Sequence, residues 1–120
     1  MKIFLSGIVV KGLGIAKKLG FSTINLPVRN MPRALTFGIY AVRVKTKIGL
    51  FGGVAHYGPR VFHHAPVSFE VHCFGLKKNL HRRRVSVEII EKIRRVKNFK
   101  NQTLLIKEIR RDVREAKKVL

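Results

Sequence analysis

The sequence holds one cysteine, no tryptophan and six acidic residues in 120 positions, and each shortage rules something out. With Cys73 alone, no disulfide can form within the chain and a cysteine-based zinc site lacks partners, so a reducing, cytoplasmic setting is expected. No apolar run is long enough to span a bilayer. Met1 to Val10 has one lysine, an interruption at Ser6 and Gly7 and no small-residue cleavage site after it, so no signal peptide is read there. The five histidines show no metal-ligand spacing with acids or cysteine, and no Ser/His/Asp or Cys/His arrangement stands out. Linkers, repeats and low-complexity tracts are also missing, so a single domain over residues 1–120 is expected.

What is abundant is positive charge. Lys and Arg number 26, giving a formal charge of +20. The excess is spread along the chain, at +9 over residues 1–76 and +11 over residues 77–120. Either a solvated basic surface or a site for polyanions accounts for it, and composition does not choose between them.

Hydrophobic periodicity predicts mostly strands. Ile3 to Val10 and Val67 to Phe74 read as strands, and Lys11 to Gly20 as a glycine- and lysine-bearing loop. Gly38 to Thr46 alternates, with Tyr40, Val42 and Val44 on one face and Arg43 and Lys45 on the other. Ile48 to His56 is expected to pair with it through a Thr46–Lys47 turn, with Gly49, Gly52 and Gly53 marking bulges or close backbone approach. Val85 to Val96 carries two periods at once, and its first half is taken as a strand. Asn101 is expected to cap a helix whose apolar stripe is Leu105, Ile109, Val113, Ala116 and Leu120. Short strands, scattered glycines and one terminal helix favour a closed antiparallel barrel, since closure removes exposed edges.

Glu70 is the only acid in the first 87 residues. On a strand it shares a face with Ser68 and His72, opposite Phe69, Val71 and Cys73. Such a carboxylate can accept a proton from a bound hydroxyl, or it can simply answer one of the many cations. Gly12 and Gly14 ahead of Lys17 could cradle phosphates, although the spacing is not that of a Walker loop and a plain basic turn has the same composition.

In order along the chain stand Gly7-Ile-Val-Val-Lys-Gly12, Leu19-Gly-Phe-Ser-Thr-Ile-Asn25, Gly38-Ile-Tyr-Ala-Val42, Gly58-Pro-Arg60, Glu70-Val-His72, Ile93-Arg94, Phe99, and a helix with Ile109, Asp112 and Ala116. This series resembles the ATP-dependent riboflavin kinase family from about Gly7 to Leu120. The resemblance implies an all-β fold, a closed six-stranded antiparallel Greek-key barrel with a C-terminal helix. It also implies transfer of the γ-phosphate of ATP to the 5′-hydroxyl of riboflavin, giving FMN and ADP. By the same resemblance Glu70 is the general base, and Thr23 and Asn25 hold the divalent metal (Mg²⁺, or Mn²⁺ or Zn²⁺) and the phosphates. Gly12, Gly14 and Lys17 would form a flap over the nucleotide, and Arg94 would belong to the loop covering the flavin.

Some positions depart from the family pattern. Ser22 replaces a proline, Ala16 and Lys17 replace Gly-Arg, Val96 stands for a Glu, and Gly75, Asn79, His81 and Arg82 occupy a stretch that usually has acids and a Tyr-Gly turn. Two rivals follow: a non-enzymatic RNA-binding barrel, suggested by the charge and by Arg82 to Arg84, and a flavin-binding member that has lost catalysis. A monomer is expected, binding nucleic acid at most non-specifically. FAD synthesis is not expected, because the motifs begin a few residues from Met1.

Overall fold

A computed structural model describes residues 2–12, 20–60 and 65–120. Six strands and one helix make up these residues: β1 (Ile3–Ile8), β2 (Thr23–Leu26), β3 (Gly38–Thr46), β4 (Gly49–Arg60), β5 (Ala65–Cys73), β6 (Arg84–Arg94) and α1 (Gln102–Val119), with a 3-10 turn at Val28–Asn30. The strands form one antiparallel sheet in the order β1-β6-β3-β4-β5-β2.

The sheet curls, but the expected closed barrel is not completed. Its edge strands β1 and β2 are tied by one isolated bridge, Val10 to Asn25, in which the Val10 amide donates to the Asn25 carbonyl at 2.9 Å. Four residues of β2 are too few to carry a full seam, and the chain turns away at Pro27.

Alternation sorts the strands into two layers. Leu5, Ile24, Leu26, Tyr40, Val42, Val44, Phe69, Val71, Val85 and Val87 point inward and fill the concave core. Cys73 belongs to that core, where burial pushes its thiol up to about 12, far from the thiolate range. The convex face carries a second cluster, Ile39, Ala41 and Val54, which α1 covers with Val113, Ala116 and Leu120.

The double period of Val85 to Val96 has a structural cause. Against β3, register shifts skip Ile90 and Ile93, so β6 bulges twice. Before the bulges Val85, Val87 and Ile89 face the core, and after them Ile90 and Ile93 face the helix. The segment is a strand as far as Arg94, with its apolar phase switched midway.

Asn101 caps α1 as expected, its side-chain oxygen accepting from the Leu104 amide at 3.0 Å. Close approach explains the glycine at position 53, where an added Cβ would stand 2.6 Å from the His72 carbonyl on β5. The hairpin turn is set by Thr46, whose hydroxyl accepts from Ile48 N–H and donates to the Gly49 carbonyl.

Candidate active site

The short strand β2 is where the candidate residues converge. Ile24 and Leu26 are buried in the concave core, which turns Thr23 and Asn25 to the convex side. The antiparallel register with β5 sets Asn25 directly opposite Glu70 and Thr23 directly opposite His72. Residues so paired share a face, with Cβ atoms about 4.5–5.5 Å apart. Phe69 and Val71, both fully buried, fix the β5 backbone from behind. Glu70 itself is 5% exposed, so its carboxyl is held within the fold rather than dangling from it.

The segment entering β2 is tied to β5 as well. The Ser22 carbonyl accepts from the Cys73 amide at 3.3 Å and from His72 Nδ1 at 2.8 Å. The His72 ring is in turn held edge-on between Phe21 and Phe74, with centroids at 5.2 and 5.5 Å. The serine in place of a proline thus leaves a segment anchored through its carbonyl. His72 was visible in the E-x-H motif, but its bracing role depends on a partner fifty positions earlier.

Gly12 lies against the same group. A Cβ at this position would run into the Asn25 side-chain amide, so any larger residue there would displace that amide. Gly14 and Lys17, expected in the same flap, lie outside the described residues. Between Val9–Gly12, Gly20–Asn25 and Leu76–His81 opens a cleft of about 770 Å³. Lys11, Lys77 and Lys78 line it, and no acid does among the described residues. Asn25 is thus the boundary post: the basic cleft is on one side and Glu70 on the other.

Asn25 and Glu70 begin a longer row. Successive register partners across the sheet are Asn25 on β2, Glu70 on β5, His56 on β4, Ile39 on β3 and Arg94 on β6. His56, which sequence reasoning passed over inside a glycine-rich strand, is the cross-strand neighbour of Glu70. Arg94 is not brought to Glu70. It stands three strand spacings away, roughly 14 Å.

Its guanidinium is committed to the helix. Nε and Nη2 donate to the two Asp112 oxygens at 2.8 and 2.7 Å, Nη1 donates to the Arg95 carbonyl at 2.9 Å, and Glu108 approaches at 3.3 Å. Phe99 adds a ring 5.8 Å from the guanidinium carbon. Burial pushes the Asp112 carboxyl above the usual carboxylate range, and Arg94's hydrogen bond and charge pull it partly back.

Known proteins resemble the chain over almost all of its length. The bifunctional riboflavin kinase/FMN adenylyltransferase of Buchnera aphidicola subsp. Schizaphis graminum is 31% identical over 119 residues, covering 95% of this chain and 38% of that protein. The chain therefore spans well under half of that relative. Among solved structures, a protein described as macrolide-efflux protein from Streptococcus pneumoniae matches with a TM-score of 0.83 at 23% identity, covering 95% of this chain and 38% of the other. Riboflavin kinase from Trypanosoma brucei matches with a TM-score of 0.65 at 18% identity, covering 98% and 78%. At such identities these two likenesses speak to the fold alone. The flavokinase model, described as riboflavin kinase, matches residues 1–120, and the chain belongs to that family.

Proposed function

We propose that this domain transfers the γ-phosphoryl group of ATP to the ribityl 5′-hydroxyl of riboflavin, releasing ADP and FMN. The observation that carries the reading is the pairing of Glu70 with Asn25, across the boundary of a basic cleft that holds no described acid. Phosphoryl transfer asks a protein for in-line positioning and for neutralisation of the phosphoryl oxygens. The cleft supplies the second through Lys11, Lys77 and Lys78, and the order of groups across it supplies the first.

In this reading the triphosphate lies in the cleft with its terminal phosphorus toward Asn25. The riboflavin hydroxyl approaches from the Glu70 side. Glu70 accepts the hydroxyl proton as the oxygen attacks, which leaves the negative charge to pass to the departing ADP. Gly12 lets the chain border the nucleotide without displacing the Asn25 amide, and the flap role expected of Gly14 and Lys17 falls on residues outside those described. A fuller seam between β1 and β2, closing the Greek-key barrel, belongs to the same state.

A divalent cation fits the donors present. Among the described residues no three His, Cys, Asp or Glu gather to hold a metal. What β2 offers is the Thr23 hydroxyl and the Asn25 amide oxygen, side by side on one face. Two neutral oxygens suit a hard ion such as Mg²⁺, which keeps its waters and shares the substrate's phosphates. Bound there, it would offset charge on the transferring group. Arg94 pins α1 through Asp112, and in this reading the loop that follows it covers the flavin.

Incubation with ATP, Mg²⁺ and riboflavin, read by chromatography, should yield FMN, and a chelator should abolish it. Riboflavin binding without any FMN would replace the kinase with a flavin-binding relative that has lost turnover.

A further inference from the structure

Helix α1 sorts its charges by side. Lys107, Arg110, Arg111, Arg114, Lys117 and Lys118 are all exposed. At 100° per residue they fall within a sector of about 120°, along roughly 17 Å of helix. The three acids of the helix lie on one flank of that sector. Glu108 and Asp112 are held by Arg94 and Lys97, and Glu115 by Lys118. Among the described residues Lys107, Arg110, Arg111 and Arg114 pair with no carboxylate. Neighbours at i,i+3 and i,i+4 on this face therefore repel one another.

We propose that this face binds the phosphodiester backbone of double-stranded RNA. The site is separate from the kinase site, because α1 covers β3, β4 and β6 while Thr23 and Asn25 stand on the far edge strand. Lipid is the poorer partner. The apolar stripe of α1 is already spent against the sheet, with Leu105 and Ala116 buried, and an interfacial helix needs that stripe for the membrane. Unpaired bases find little to stack on, since no residue from 102 to 119 is aromatic and the half-buried Phe74 ring beside the helix is taken by Lys117.

The major groove of B-form DNA admits a helix that reads base edges along its centre, whereas the cations of α1 are spread toward two margins, as contacts to phosphates require. What α1 presents is a low ridge with two cationic margins, Arg110 and Lys117 on one and Lys107, Arg111 and Lys118 on the other, with Arg114 between. The minor groove of an A-form duplex is wide and shallow and is bordered by phosphates on both sides, so such a ridge can settle across it.

Fluorescence anisotropy with a labelled RNA duplex of about 20 base pairs and a DNA duplex of the same sequence tests the assignment. The whole chain should bind the RNA duplex at least tenfold more tightly than the DNA, with affinity falling steeply between about 50 and 200 mM salt. The R110Q/R111Q/R114Q variant keeps good helix formers at exposed positions. It should weaken RNA binding more than tenfold and lower the salt slope by roughly 2.7, about 0.9 for each of three phosphates no longer neutralised, while FMN formation stays unchanged. Equal binding of RNA by the variant and the parent chain would overturn the proposal. So would equal affinity for the two duplexes, or tighter binding to phosphatidylserine vesicles than to RNA.

Discussion

The two ends of one row on the convex face treat a carboxyl group in opposite ways. At the β6 end, Asp112 reaches down from α1 and is met by both prongs of Arg94, with Glu108, Lys97 and Phe99 around the pair. Every group there has a fixed neighbour, and the result is a clamp between helix and sheet. At the β2 end, Glu70 has an amide and an imidazole as its cross-strand neighbours, beside a cleft wide enough for a nucleotide. The first arrangement fastens the helix to the sheet, whereas the second stands next to the short strand that borders the cleft. The same scaffold row therefore holds a fastening at one end and, at the other, a carboxyl paired with the strand that lines the cleft.

Removing the carboxylate at each end should give different symptoms. Glu70→Gln should lower kcat for FMN formation by about 10² to 10⁴, with ADP and riboflavin still binding and the melting temperature unmoved. A near-normal rate would take Glu70 out of the base role. Asp112→Ala should instead cost about 3–5 kcal/mol of stability in urea titration, because the Arg94 charge is then buried without its main partner. If the variant unfolds at the parent midpoint, the clamp is ornamental. Gly12→Ala should raise KM for ATP about tenfold with little change in KM for riboflavin, since the new methyl group meets the Asn25 amide. Equal effects on both substrates would put Asn25 somewhere other than the nucleotide side.

The smallest effect belongs to the turn bordering the cleft. Arg82 has φ of 68°, the single positive value at a described non-glycine residue. Its amide bonds to the Val9 carbonyl, and the Val9 amide to the Arg83 carbonyl, so the turn cannot relax without leaving the residue that follows β1. Arg82→Gly should gain about 0.5 kcal/mol, the relief of a left-handed arginine less the extra freedom of unfolded glycine. A loss of stability would mean that the arginine side chain itself braces the turn.

Much of the fold was legible because its cause is local. Alternation marked β1, β3 and β5, and Asn101 with its apolar stripe marked α1. The β6 segment resisted because two bulges changed its phase, and bulges come from pairing with β3, which a linear pattern does not contain. The face of Glu70 could be read from period two, but its adjacency to Asn25 could not. That depends on the register of a four-residue strand against one 45 positions later, and only the resemblance pointed to it. Arg94 shows the opposite case. Glu108 and Asp112, four apart on the sheet-facing flank of a helix, are a natural target for a guanidinium, and that spacing was the available sign that Arg94 was already engaged.

The seam between β1 and β2 hangs on the backbone of the residue whose side chain fronts the cleft. Asn25 offers its carbonyl to Val10 while the residue itself lines the cleft. Occupancy and edge-locking then become one event, so ATP with Mg²⁺ should slow hydrogen exchange at the Val10 amide before it alters any residue of the core. A nucleotide would in that sense be a stitch in the garment as well as its cargo.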